Sequence, residues 1–375
     1  MGEIYEHIKK KVAKPHLIIK NKKSILIAPL DWGLGHATRC IPIIQYLQKN
    51  GHDLTIAGNH ATQTMLKKEF PTAEFIFIKG YNIKYPTNVG SFNRKILQQI
   101  PKIWWAIVRE HFWLRDQLKK RSWDLLISDN RYGLHTKKIP SVFITHQLRV
   151  QTGSGKLADD LIQSILYRKI NKFTHCWIPD EASNRINIAG LLSHPIKKPN
   201  RYKYIGLLSR LNNISSNEGS SILIVLSGPE PQRTILENIL LQQLSDTQEK
   251  IIFVRGLPLA SKEMTPQKNI QFKNYMDSVE LEKAMEEAEI VVCRAGYSSI
   301  MDLLKLNKRA IIIPTPGQTE QEYLATHLNQ LKLFVVQSQK SISLIDAFDL
   351  SRNSCPENNS FNFEGYKKAL EDLGI

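Results

Sequence analysis

The chain has 375 residues, enough for two domains with separate cores, and 42% of them are apolar, an ordinary share for a globular protein. With 51 Lys and Arg against 35 Asp and Glu, the formal net charge is +16, which favours anionic partners without choosing among nucleic acid, acidic lipid and phosphorylated substrates. No apolar run nears the ~20 residues that span a bilayer. The four cysteines (Cys40, Cys176, Cys293, Cys355) form no C-x-x-C pair, which speaks against a structural zinc or a disulfide framework and for a reducing cytoplasm. No zinc-finger, RNP or basic-zipper pattern is present, so specific nucleic-acid binding is not expected.

Residues 1–23 read as a basic leader without the sustained apolar segment of a signal peptide. Residues 24–29, Ser-Ile-Leu-Ile-Ala-Pro, read as the first core strand. They run through a loop holding Gly33, Gly35, His36 and Arg39 into an apolar-periodic helix that ends at Gly51. A dinucleotide fingerprint needs a third glycine where Thr38 stands, so an NAD site is not expected. His36, on the turn into the helix, has the pKa range of a general base near neutral pH; the other reading is a capping or packing histidine.

Strands are predicted at residues 53–57, 75–78, 124–128 and 141–145, alternating as an α/β sheet should. The third delivers Asp129 to the carboxyl edge and the fourth delivers His146. Both are candidates to line one cleft with His36, where Asp129 would fix the imidazole's tautomer or else cap its own loop. Between the second and third of these strands, residues 92–123 interleave Trp104, Trp105, Phe112, Trp113 and Trp123 with Lys and Arg. Such a helix either lies at an anionic membrane interface or covers the sheet with its aromatics inward.

Residues 202–206 read as the strand closing the first half, and residues 209–220 as a polar linker. A second series restarts at residues 221–226 and turns through Ser227, Gly228 and Pro229, the last lacking an N–H. Further strand ends fall at Arg255 and just before Tyr275 and Met276. Residues 290–292 form a buried strand that turns through Arg294, Gly296 and Tyr297 into a helix carrying Ser298, Ser299 and Asp302. A glycine turn feeding a helix N-terminus offers bare N–H groups and a positive dipole end, which suits a diphosphate. Asp302 would accept from a ribose, although Ser299-x-x-Asp302 also reads as a capping box. The strand at residues 310–313 ends in Pro-Thr-Pro-Gly, followed by Gln318, Gln321 and Glu322, whose polar groups suit sugar hydroxyls. After Val336 the chain reads as a polar stretch and then a closing helix at residues 363–373.

The ordered set Val-Val-Cys-Arg-Ala-Gly, Asp302, Pro-Thr-Pro and Gln321-Glu322-Tyr323 resembles the donor half of family 28 GT-B glycosyltransferases. The Gly-Leu-Gly-His-Ala-x-Arg loop is similar to the histidine-bearing glycine loop of the same family, and also to nucleotide-sugar hydrolases of the pseudaminic acid pathway. The resemblance implies an α/β chain of GT-B architecture, with two Rossmann-like parallel-sheet domains facing across a cleft. The acceptor domain would span residues 24–206 and the donor domain residues 207–345, with residues 346–375 returning to the first domain. It implies an inverting, metal-independent transfer of an N-acetylhexosamine or hexose from a UDP-sugar to an acceptor hydroxyl, lipid-linked or in a cell-envelope glycan, without a cofactor.

On this reading His36 and Asp129 are catalytic, and Gly33, Gly35, Arg39 and His146 contact acceptor or phosphate. The nucleotide would lie on Ser227, Gly228, Arg255, Arg294, Gly296, Tyr297, Ser298, Ser299 and Asp302, with its uracil at Tyr275 and Met276. Gln318, Gln321 and Glu322 would hold the sugar. One family member docks on the membrane through a basic, hydrophobic patch of its first domain, which implies the same for residues 92–123 at the inner face. The turn at Ser227-Gly228-Pro229 is poorer in glycine than the family's. A hydrolase using water as acceptor and a non-catalytic nucleotide-sugar binder remain the alternatives.

Overall fold

The computed structural model describes residues 22–32, 35–81, 99–150, 155–183, 185–211, 219–258, 260–354 and 360–375. Gly33 and residues 92–98 lie outside them. Seven parallel strands build the first sheet: β1 (Ser24–Pro29), β2 (Asp53–Gly58), β3 (Glu74–Phe77), β4 (Leu125–Asp129), β5 (Ser141–Ile144), β6 (His175–Ile178) and β7 (Tyr202–Tyr204). Their order is 3-2-1-4-5-6-7. β1 is apolar on both faces because helices cover both sides, as a parallel sheet requires. The second sheet repeats the plan with β8 (Ser221–Val225), β9 (Ile251–Val254), β10 (Ile270–Lys273), β11 (Ala288–Arg294), β12 (Arg309–Ile313) and β13 (Val335–Val336), ordered 10-9-8-11-12-13 and parallel throughout. The chain is thus two Rossmann-like α/β domains.

Each sheet reverses its strand order once, between β1 and β4 and between β8 and β11. The crevice beyond the strand ends at such a reversal is where open α/β sheets bind ligands. In the first sheet it is flanked by helix α1 (Gly35–Lys49) and by Asp129, which pairs in register with Pro29. After the short α2 (His60–Glu69) comes α3 (Ile100–Lys120), then α4 (Lys156–Ile170). In the second domain α5 (Gln232–Gln243) and α6 (Ser278–Glu286) precede α7 (Tyr297–Lys305), which leaves the strand reversal of that sheet. α1 packs on α7, and a Cβ at Gly35 would stand 3.1 Å from Ser298 Oγ, a tight approach that the serine side chain would have to ease by a few tenths of an ångström.

The apolar core runs across the domain junction. Ile188, Leu192, Leu207 and Leu211 pack with Val291, Ile300 and Leu324. Following α8 (Thr319–Gln330), α9 (Leu344–Asn353) sets Leu344, Ala347 and Phe348 against Ile224 and Ile311, an i, i+3, i+4 stripe that the surrounding Ser and Asn conceal. The domain limit expected after residue 345 therefore falls inside a helix of the second domain. α10 (Gly365–Glu371) packs Tyr366 and Leu370 against Ile41 and Ile44 of the first. β6 and β13 lie where no strand was expected, being only four and two residues long.

The aromatics of residues 99–123 divide between core and surface. Trp123 is buried and donates to Thr55 Oγ1, and Trp113 donates to the Phe77 carbonyl. Trp104, Trp105 and Phe112 are 47%, 71% and 56% exposed, on the side of α3 opposite the buried Ala106, Ile107, Glu110 and Leu114. Among the described residues no helix is long and apolar enough to cross a membrane.

Behind β4, Arg131 is fully buried and donates to Glu110 Oε1 at 2.7 Å, Asp31 Oδ1 at 3.3 Å and the Pro29 carbonyl at 2.8 Å. Glu110→Leu strands much of that guanidinium without its partner, so urea unfolding is expected to show a loss of about 3–5 kcal/mol. A loss below about 1 kcal/mol would mean that the pair contributes as little as a surface one.

Candidate active site

Asp129 ends β4 with no exposed surface, and a carboxylate there is tolerable only if it is paired. The first turn of α1 supplies the partners, because residues three apart on a helix share a face. Arg39 donates Nε to Asp129 Oδ2 at 2.7 Å and NH2 to Oδ1. His36 Nδ1 lies 3.3 Å from each Asp129 oxygen and 2.9 Å from Arg39 NH2. Burial alone would raise the Asp129 pKa, but the charges and hydrogen bonds of Arg39 and His36 outweigh it and hold the carboxyl well below its usual range. Burial lowers the pKa of His36 below its ordinary 6.5, with Asp129 opposing and Arg39 assisting, so the imidazole is neutral at pH 7.

Arg39 continues the network to His146, whose Nδ1 is 2.7 Å from Arg39 NH1. The His146 ring stacks on Tyr297 with centroids 3.9 Å apart and planes 7° from parallel. His36, Arg39, Asp129 and His146 are thus brought together from α1, β4 and the end of β5, at the mouth of the first sheet. His36 Nε2 makes no hydrogen bond among the described residues.

Across the cleft, α7 begins at Gly296 with no side-chain cap. The capping box expected of Ser299 and Asp302 is not formed. Asp302 is buried, accepting from Ser209 Oγ at 2.8 Å and Arg210 Nε at 3.1 Å, and thus anchors the segment that joins the domains. Arg294 is likewise withdrawn from the cleft. Its guanidinium is 1% exposed and donates to the carbonyls of Gln232 at 2.8 Å and Pro314 at 3.3 Å, and burial lowers its pKa to about 10. Arg255 pairs with Glu237 and Asn274 inside the second domain. Tyr297 donates its hydroxyl to the Pro179 carbonyl.

Ser298 and Ser299 are half-buried on the first turn of α7, and Ser227 and Gly228 stand exposed after β8, with Gly228 at φ 101° where only glycine is comfortable. Tyr275 and Met276 are half-buried, Met276 against the core and Tyr275 beneath Lys68 Nζ of the first domain, 6.0 Å from the ring centroid. Gln321 Oε1 accepts from Thr315 N and Glu322 Oε1 from Gly317 N, both at 2.8 Å, so these two brace the turn before α8, while Gln318 is its N-cap.

Two features were not legible in the sequence. Glu320 reaches from α8 to His146 Nε2 at 2.8 Å and Gln147 Nε2 at 2.7 Å, and Asp180 organises the loop that meets Tyr323 and His327. Among the described residues no three His, Cys, Asp or Glu side chains come together as a metal-ligating group.

Residues 222–361 match the Glycosyltransferase family 28 C-terminal domain. A UDP-N-acetylglucosamine–N-acetylmuramyl-(pentapeptide) pyrophosphoryl-undecaprenol N-acetylglucosamine transferase of Histophilus somni is 22% identical over 323 residues, covering 82% of each chain. The enzyme of that name from a Sulfurihydrogenibium species is 23% identical, covering 90% of this chain and 86% of its own. Among solved structures, the kitacinnamycin glycotransferase superposes with a TM-score of 0.63 at 13% identity over 94% of each chain. MurG of Acinetobacter baumannii gives 0.51 at 16% identity, over 88% of this chain and 89% of its own. These superpositions bear on the fold.

Asp302→Ala removes the acceptor of both Ser209 and Arg210. Denaturant unfolding is expected to register a loss of about 1–3 kcal/mol; unchanged stability would show that the joining segment is held by other contacts.

Proposed function

Because the chain is a glycosyltransferase of the family 28-like type with GT-B architecture, we propose that it transfers a sugar from a UDP-sugar to an acceptor hydroxyl with inversion. The sugar is an N-acetylhexosamine or hexose, and the acceptor is lipid-linked or part of a cell-envelope glycan. The observation that carries this reading is the His36–Asp129–Arg39 cluster lying beside the uncapped start of α7, one on each side of the cleft. The full names of the two curated relatives, which act on UDP-N-acetylglucosamine and an undecaprenol-linked acceptor, support the choice of donor and acceptor class.

In the proposed step, His36 Nε2 takes the proton of the acceptor hydroxyl as its oxygen attacks the anomeric carbon. The bond from that carbon to the diphosphate oxygen breaks, and UDP leaves with the electron pair. A single displacement inverts the centre. Base action at Nε2 requires the His36 hydrogen on Nδ1, directed at Asp129 at 3.3 Å, with Arg39 NH2 (2.9 Å from Nδ1) giving up that nitrogen and keeping Asp129; Asp129 also stabilises the imidazolium formed. The N–H groups around Ser298 and Ser299, with the positive ends of α7 and α1, meet the charge on the departing diphosphate. We therefore propose that no metal is needed. Asp302 and Arg294 support this site from beneath.

A lipid-linked acceptor is supported by the surface of the first domain. Trp104, Trp105 and Phe112 of α3 are exposed, and so are Leu157, Leu161 and Ile165 of α4, a stripe of four-residue spacing that is 88%, 64% and 40% exposed. Lys169 Nζ lies 4.1 Å from the Trp104 ring centroid and links the two helices. Apolar side chains among Lys and Arg favour the interface of an anionic bilayer on the cytoplasmic side.

His36→Ala is expected to lower kcat about 10²–10⁴-fold while UDP affinity, read by calorimetry, changes only a few-fold. In the intact enzyme the rate rises with pH as His36 loses its proton, and this acid limb lies below pH 6.5 because burial lowers the group's pKa; the variant lacks the limb. A kcat within about fivefold of the original, against that range, would remove His36 as the base. Glycoside rather than free sugar as product separates transfer from hydrolysis.

Co-sedimentation with anionic liposomes is expected to be weak and salt-sensitive, each basic residue near the surface adding about 1 kcal/mol. Paired Trp105→Ser and Leu157→Ser changes should abolish it. No binding at low salt would leave these side chains without a membrane role.

A further inference from the structure

The ring of His146 is held by two partners that determine where its hydrogen sits. Arg39 can only donate, and its NH1 is 2.7 Å from Nδ1, so Nδ1 accepts and the hydrogen is on Nε2. That N–H faces Glu320 Oε1 at 2.8 Å. The second oxygen of Glu320 accepts from Gln147 Nε2 at 2.7 Å. Arg39, His146 and Gln147 belong to the first domain, whereas Glu320 stands in the first turn of α8 in the second. The Tyr297 ring, also from the second domain, lies flat on the imidazole and fixes its plane.

A continuous chain of contacts therefore runs Glu320–His146–Arg39–Asp129–His36, and its only ionised side chain from the donor domain is Glu320. Burial would raise the Glu320 pKa, but the hydrogen bond and charge of His146, together with His36 and Arg39, hold it below its usual range. With both oxygens engaged, Glu320 is poorly placed to serve as a sugar ligand.

Resting on the reading of His36 as the base, we propose that Glu320 is a positioning residue that sets the base from across the cleft. Glu320 and Tyr297 fix the tautomer and plane of His146. His146 then holds Arg39 NH1, which orients the guanidinium so that Asp129 takes both Nε and NH2. Asp129, fixed in turn, presents its oxygens to His36 Nδ1. When the domains separate, His146 loses Glu320 and its hydrogen is free to move to Nδ1, where it would oppose Arg39. The base is thus assembled only while the donor domain is closed on the first.

The test is histidine imidazole ¹⁵N–¹H correlation spectroscopy on the full chain, comparing the native protein with Glu320→Gln and Glu320→Ala. The groups facing His146 are Arg39, Glu320 and Tyr297, and those acting on His36 are Asp129, Arg39, His146 and, by its charge, Glu320, so Glu320→Gln, which removes the charge but keeps the acceptor, separates the field of Glu320 from its hydrogen bond. The native protein should show His146 with its hydrogen on Nε2. Glu320→Gln, whose amide oxygen still accepts, should keep that signature, and Glu320→Ala should lose it and shift the pH midpoint of His36.

UDP release from UDP-N-acetylglucosamine should fall about tenfold or more in kcat for Glu320→Ala, with KM for the donor little changed and partial rescue by Gln. An identical His146 signature and His36 midpoint in native and Ala proteins would overturn the proposal. Coupling present in the spectra of a protein that neither binds UDP nor releases it would uphold the link from Glu320 to His36 and sink the sugar-transfer reading instead.

Discussion

The buried ion pair between Asp129 and Arg39 is the constraint on which the rest of the site depends. A carboxylate with no exposed surface at the end of a parallel strand demands a donor set, and the first turn of α1 is the nearest source. Once Arg39 gives Nε and NH2 to Asp129, NH1 is left for His146, and the helix periodicity puts His36 over the same carboxylate. The bare glycine start of α1 allows this turn to come close to α7 of the other domain. Electrostatic satisfaction of one side chain therefore fixes the places of Arg39, His36 and His146.

The second domain solves a different problem. The start of α7 has no side-chain cap, and the residues beneath it are held by buried hydrogen bonds. Arg294 ties β11 to the turns around Gln232 and Pro314, while Asp302 ties α7 to Ser209 and Arg210 in the joining segment. Gln321 and Glu322 brace the Pro314–Gly317 turn in the same manner. These side chains hold the frame, and the backbone N–H groups at the start of α7 are what remain for an anion.

Much of the fold was legible because its signals are local. Apolar runs bounded by glycine turns located β1, β4, β5, β8, β11 and β12, and the Gly-x-Gly-His-x-x-Arg spacing singled out His36 and Arg39 together. β6 was missed because four residues carry too little pattern, and α9 because Ser and Asn dilute its stripe. Asp302, Arg294 and Arg255, expected at the nucleotide, make buried contacts within the protein, and in sequence a charged residue near a helix start looks alike whether it faces a ligand or a buried carbonyl. Only the tertiary path of the chain, which brings Ser209 to Asp302 and Gln232 to Arg294, decides between them. Glu320 was invisible because its partner His146 lies 174 positions away in sequence.

Diffraction from crystals of the protein grown with UDP tests this arrangement most directly. The β-phosphate should lie about 2.7–3.2 Å from backbone nitrogens in the first turn of α7, with His36 Nε2 facing it across the cleft and the Asp129–Arg39 pair intact. UDP bound elsewhere, with the Ser298 and Ser299 N–H groups still free of phosphate, would contradict the placement of the donor and with it the role given to His36.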